Sequence, residues 1–190
     1  MCIRDRCESV KILRVFNNNV ALAKSSSGEV IVTGRGIGFQ AHRGDEIPEE
    51  KIQRVFVPTD GRDPDHLAQM LAFIPARHIA VVSEALDEVD ASGQLKDKIT
   101  LVTAIADHVG FAIQRAKDHR PMVYPLKGEV RNLYPDEYRM AQAFVAAINK
   151  KIEVELPETE SVAIALHLVN AGFASGDLSY TYQICLLYTS

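Results

Sequence analysis

The chain has 190 residues and a formal net charge of −4, from 21 Lys and Arg against 25 Asp and Glu, and 47% of its residues are hydrophobic. That composition excludes a disordered tail and a uniformly basic nucleic-acid coat, and it suits one or two small globular domains. No uncharged run approaches the ~18 residues that a membrane span requires, so no membrane crossing is expected.

Cys2, Cys7 and Cys185 all lie within ten residues of a terminus, and the interior has no cysteine. A disulfide framework or a Cys-based zinc site is therefore not expected, which fits a reducing cytoplasm. The opening MCIRDRCES lacks the apolar core of a signal peptide. MCIRDR and CLLYTS read as translated sequencing-adapter ends, so residues 1–9 and 181–190 are expected to be non-native and the natural gene product to be longer.

From Val10 the pattern is β-like: VKILRVF, VALAK, EVIVT and IQRVFV are short apolar runs bounded by Asn, Ser and Gly, and none holds a helical period. Residues 10–57 are expected to form a small antiparallel four-stranded sheet, with a hairpin turn over Lys24–Glu29 in which Gly28 supplies the positive φ. This segment carries seven basic and five acidic residues, whereas from Pro58 onward there are 12 basic and 18 acidic. Lys11, Arg14, Arg35 and Arg43 are left to form a local basic surface. A sheet of about 48 residues is near the lower limit for one core and leaves a face uncovered, so a second copy is expected to cover it.

The segment Gly34-Arg35-Gly36-Ile37-Gly38-Phe39-Gln40 invites a phosphate-loop reading, but no Lys-Ser/Thr closes it and no amphipathic helix follows. A tight bend or bulged turn accounts for the glycines alone. A third reading accounts for more residues. Arg35 offers a planar fork, Phe39 a stacking face, and Asn17, Asn18 and Asn19 offer amide groups able to read base edges, which together suit RNA with unstacked bases. Taken alone, the Asn triplet reads as a turn.

VKILRVFNNNVALA, VIVTGRGIGFQ and RGDEIPEEKIQRVF resemble the co-antiterminator RNA-binding domain of the BglG/SacY/LicT transcriptional antiterminators. The resemblance implies a dimeric four-stranded sheet that binds a ribonucleic antiterminator hairpin and blocks the overlapping terminator. On the matching positions it implies RNA contact by Asn18, Asn19, Gly34, Arg35 and Phe39, with Lys11, Arg14 and Arg43 as basic helpers. Where family members often carry lysines after the Phe-Gln pair, this chain has Ala41-His42-Arg43.

Residues 58–64 are rich in breakers and read as a linker, after which a 3.6-residue period sets in. Five helices are expected, at about residues 65–74, 76–90, 95–117, 130–150 and 158–172, forming an all-α bundle. The longest places Leu101, Ala104, Ile105, His108, Phe111, Ala112 and Arg115 on one face, and Pro157-Glu158-Thr159-Glu160 suits the start of the last. His108 and His167 fall on helices. Each alone reads as a partly buried core histidine, and a metal pair is the next alternative, yet neither has an i+4 His partner or an H-E-x-x-H frame. His42, His66, His78 and His119 read as surface residues in polar or loop-like settings.

TAIADHVGFAIQR, YPLKGEVRNLYPDEYRMAQ and VAIALHLVNA resemble the first PTS regulation domain of the same antiterminators. The resemblance implies that His108 and His167 accept phosphoryl groups from the sugar phosphotransferase system, with HPr and the sugar-specific enzyme II as partners, and that phosphorylation in the first bundle is, in most of the family, inhibitory through the enzyme II. It also implies a second regulation domain with another histidine pair in the natural gene product. Arg115 and Arg131 are placed by spacing to compensate the added charge.

The expected molecule is thus a multidomain α+β protein: an RNA-binding sheet over residues 10–57, a linker over 58–64 and a five-helix regulation domain over 65–173. It is expected to be a cytoplasmic homodimer, with no cofactor and no metal. No nucleophile, base and oxyanion set is visible, so it is not expected to be an enzyme. The competing readings are a metal-dependent all-α hydrolase with a β accessory domain, using Asp107, His108 and His167, and a protein-binding module without RNA affinity.

Overall fold

A computed structural model describes residues 10–58 and 63–174. The expected non-native ends, the three cysteines and most of the expected linker lie outside the described residues. The chain divides into two compact units, one of Met1–Ala80 with Asp97–Ile99 and one of Val81–Lys96 with Thr100–Ser190.

The first unit holds a four-stranded antiparallel sheet in the order β1 (Lys11–Asn17), β2 (Val20–Ser25), β3 (Gly28–Thr33) and β4 (Arg54–Phe56). Two-residue turns join the first three strands, and the turn into β3 closes with Ser25 opposite Gly28, whose φ is +116°. Period-2 alternation sends Ala21, Ala23, Val30 and Val32 to one face, where they pack with Ile12, Ile37 and Ile47. Val20, Leu22, Ile31 and Phe56 point the other way and are buried too.

Helix α1 (Pro64–Ala72) packs on β1, β2 and β3 and buries Leu67, Ala68 and Leu71. Asp63 caps it by accepting a hydrogen bond from the Asp65 N–H, and Pro64 sits at its first turn. The expected uncovered face is therefore absent from the central strands: the covering that size alone assigned to a second copy comes from α1 and from the loops carrying Ile37 and Ile47.

The helices that follow are α2 (Ala76–Val89), α3 (Ile99–Lys117), α4 (Lys127–Leu133), α5 (Pro135–Asn149) and α6 (Ser161–Ala174), with 3₁₀ turns at Leu95–Asp97 and Glu158–Glu160. The described residues thus hold six α-helices, not the expected five. The expected helix over 130–150 breaks at Tyr134, which has φ −131° and ψ 59°. The residue before a proline is pushed out of the helical region, and Pro135 restarts the helix as its first residue.

The second unit is cored by Val102, Ile105, Ala106 and Val109 of α3, Ala141, Phe144 and Ile148 of α5, and Val162, Ile164 and Ala165 of α6. Phe111, grouped by the sequence with Leu101, Ile105 and Ala112 on one face of α3, is 61% exposed. The buried face follows Leu101, Val102, Ile105, Val109 and Ala112, rotated away from it. His78, expected at the surface, is half-buried on α2.

Candidate functional site

The Asn triplet and the glycine loop form one hydrogen-bonded body. The Asn17 Oδ1 accepts from the N–H groups of Asn19 (2.7 Å) and Val20 (2.8 Å), while its Nδ2 donates to the Ala72 carbonyl at the end of α1 (2.7 Å). The N–H groups of Gly34, Gly36 and Gly38 then donate in turn to the Asn19 carbonyl, the Asn19 Oδ1 and the Asn18 carbonyl, each at 3.0 Å. The alternating spacing of the glycines matches this ladder.

A side chain at these positions would break the ladder. A Cβ on Gly34 would lie 1.9 Å from the Lys51 carbonyl oxygen, and one on Gly38 would lie 2.2 Å from the Asn17 carbonyl oxygen and 2.7 Å from Val15 Cγ1. Gly36 needs its freedom for another reason, a φ of +72°.

Next to the buried Gly34 and Gly38 the chain presents Arg35 and Phe39 to solvent, and Asn18 is exposed as well; Phe39 is 62% exposed. Arg35 has no hydrogen bond or ion pair among the described residues. Asn19 is half-buried and Gly34 buried, and both are tied into the ladder. The remaining basic candidates lie apart. Arg14 stacks over the Phe16 ring, 5.0 Å from its centroid, and pairs with Asp65 at 3.1 Å. Lys11 lies at the far end of β1, ~20 Å along the strand, where it faces Lys24 across the ladder and lines a shallow groove with Arg43 and Gly44.

In the second unit, Glu160 organises a buried polar cluster. Its Oε2 lies 2.8 Å from His108 Nε2 and accepts the Tyr124 hydroxyl at 2.7 Å; Arg115 reaches both oxygens at 3.0 Å. The Glu160 side chain is only 3% exposed. Burial alone would raise its pKa, but hydrogen bonds from His108, Tyr124 and Arg115, with the Arg115 charge, outweigh it and hold the carboxyl at about 2. Burial pushes the Tyr124 hydroxyl up, and the hydrogen bond to Glu160 adds to it.

The two histidines meet edge to face, with ring centroids 5.6 Å apart. His167 has no hydrogen bond among the described residues, and burial, reinforced by His108, lowers its pKa below the ordinary imidazole value despite the opposing Asp107 carboxylate. That direction favours the neutral ring, the form with a lone pair free for a phosphoryl group or a metal. Of the two arginines expected near His108, Arg115 is at the cluster and keeps its buried Nε–H unpartnered, whereas Arg131 is exposed on α4.

Sequence reasoning missed Glu160 and Tyr124. Glu160 lies 52 residues from His108 and was read only as acid at a helix start; its seven-residue spacing from His167, two helical turns, was the available signal. No group of three or more His, Cys, Asp and Glu placed to hold a metal occurs among the described residues. The Arg115 guanidinium, bonded to the Glu160 carboxylate beside His108, makes that corner unfavourable for a cation. Among the described residues no helix is long and apolar enough to cross a membrane.

Comparison with known proteins adds to this geometry. Residues 10–63 match the CAT RNA binding domain family and residues 83–171 the PRD domain family. The chain is 35% identical over 166 residues to the transcription antiterminator LicT of Bacillus subtilis (strain 168), covering 85% of this chain and 59% of that protein. It is 29% identical over 160 residues to protein GlcT of Staphylococcus epidermidis, covering 84% and 57%. The chain thus spans less than two thirds of the length of these relatives. Among solved structures it is similar to a crystal structure of GlcT CAT-PRDI, with a TM-score of 0.66 and 28% identity over 86% of this chain and 98% of that one.

Proposed function

Because the chain carries a CAT RNA-binding domain followed by a PRD domain and is homologous to the LicT and GlcT antiterminators, we propose that it binds a ribonucleic antiterminator hairpin and prevents the overlapping terminator from forming. Its activity is controlled by phosphoryl groups placed on His108 and His167 by the sugar phosphotransferase system, with HPr and the sugar-specific enzyme II as donors. It works in the cytoplasm as a homodimer, by binding and not by catalytic turnover.

The observation that carries the RNA reading is the ladder between the Asn turn and the three glycines. It occupies the main-chain groups of both loops and leaves Asn18, Arg35 and Phe39 exposed. An unpaired guanidinium, an amide and an aromatic face on a rigid backbone are suited to splayed bases and phosphates. Asn19 and Gly34 contribute by shaping this surface from within. Lys11, Arg14 and Arg43 serve the longer reach of the RNA backbone, and Arg14 must exchange Asp65 for phosphate to do so.

The phosphoryl reading rests on the paired imidazoles beside Arg115. A phosphoryl group adds close to two negative charges and three acceptor oxygens, and Arg115 retains an unpartnered Nε–H. Filter binding of the chain to an antiterminator hairpin tests the first half. Affinity that falls with salt and is weakened by Arg35→Ala or Phe39→Ala supports it, and affinity indifferent to both variants overturns it. Incubation with enzyme I, HPr and enzyme II tests the second half: acid-labile phosphate on His108 or His167 is expected, and its absence from both overturns the claim.

A further inference from the structure

Glu160 is ionised and already accepts hydrogen bonds from Tyr124 and Arg115, so it has no proton to give to a third neighbour. His108 Nε2, 2.8 Å from the same carboxylate, must therefore be the donor of that contact. A neutral imidazole carries one N–H, so this bond fixes His108 as the Nε2–H tautomer and leaves its lone pair on Nδ1. The nitrogen that bears the lone pair is the one that can attack phosphorus.

We propose that Glu160 is a positioning residue that selects Nδ1 of His108 as the phosphoryl acceptor atom, an inference that rests on the reading of His108 as a phosphorylation site. In the transfer, the Nδ1 lone pair forms a bond to the phosphorus of a donor phosphohistidine protonated on its other ring nitrogen. The P–N bond of the donor breaks and its electron pair returns to the donor ring, which leaves as neutral imidazole. The positive charge of the donor ring passes to His108, where the Nε2–H stays bonded to Glu160. A carboxylate that orients an imidazole and stabilises its charged form acts through the ring, without touching the transferred group. The bond also survives the modification, because phosphorylation at Nδ1 leaves Nε2–H in place, whereas a phosphoryl group on Nε2 would have to expel Glu160.

The test is long-range proton–nitrogen NMR on the ¹⁵N-labelled chain, with His108 assigned by His108→Gln. Before phosphorylation, at a pH where the spectrum shows a neutral ring, His108 is expected as the Nε2–H tautomer; a Nδ1–H tautomer overturns the proposal. After incubation with enzyme I, HPr and enzyme II, the phosphoryl group is expected on Nδ1. A phosphoryl group on Nε2 overturns the proposal and leaves His108 as an acceptor, whereas no phosphoryl group on His108 removes the underlying reading and the proposal with it. In Glu160→Gln, whose side-chain amide can also donate, both tautomers and phosphoryl on both nitrogens are expected, with transfer to His108 at least ~10-fold slower. Unchanged atom selectivity in that variant overturns the role of Glu160. Should the variant fail to fold, the two measurements on the unmodified chain still decide.

Discussion

The asparagine–glycine loops and the Glu160 cluster are both dense hydrogen-bonded bodies, but they are built from opposite materials. In the loops the bonds join main-chain N–H groups to carbonyls and to uncharged asparagine amides, and the exposed side chains that suit RNA are left over. In the cluster the bonds run between side chains and converge on one buried carboxylate, and the two histidines are half-buried beside it. Main-chain scaffolding is indifferent to charge and pH and demands an absent side chain at fixed positions. Side-chain scaffolding tolerates backbone change and depends on protonation. The first arrangement suits a surface that is always ready, the second one that has to respond.

The largest expected effect tests the main-chain half of this contrast. Gly38→Ala brings a methyl group to 2.2 Å from a carbonyl oxygen of β1, so chemical denaturation should show a loss of about 3 kcal/mol or more, together with loss of RNA binding. A variant of native stability would show that the ladder is not rigid.

Acid should strike the other region. The Glu160 carboxyl lies near 2 in the folded chain against an ordinary 4.5, so its contribution is fully present above pH ~4.5 and lost as pH falls toward 2, on the order of 3 kcal/mol. His167 acts in the same direction from its ordinary 6.5 downward, because the unfolded chain takes up a proton that the buried ring resists. Amide protection, taken relative to the intrinsic exchange rate at each pH from 7 to 3, should therefore fall in α3 and α6 while the β1–β3 ladder stays protected. Equal loosening of both would erase the distinction.

Smaller, and confined to binding, is the effect of Arg35→Ala or Phe39→Ala. Each should weaken a hairpin complex by ~1–3 kcal/mol, because stacking and guanidinium contacts are of that size. The melting temperature should hold, as neither side chain is buried. The smallest effect is a control on the glycine argument: Gly128→Ala on α4, where a Cβ would meet nothing within 4 Å, should stabilise the helix by up to ~1 kcal/mol. Destabilisation there would mean that glycine clashes do not discriminate between the loop and the helix.

Much of the fold was legible because it rests on local chemistry. The alternation of VALAK and EVIVT, the Asn and Ser turns between them, and the 3.6-residue period after Pro64 depend on neighbours two to four residues away. The break at Tyr134-Pro135 was legible in the same way, since a proline constrains its predecessor, and the long period across it hid the signal. The loop residues Asn18, Arg35 and Phe39 and the two histidines stood out by residue type and spacing.

The amino-acid sequence by itself determined the strands, the helices and the residue types of both sites. What only the tertiary structure decided is which hydrogen bonds those residues make: three glycine N–H groups on an asparagine turn some 17 residues earlier, and one carboxylate joining His108, Arg115 and Tyr124 from 36 to 52 residues away. The reason is physical. Backbone propensities act through adjacent dihedral angles and leave a trace in a short window, whereas a buried hydrogen bond is set by where packing brings two distant groups, and no local pattern encodes that meeting.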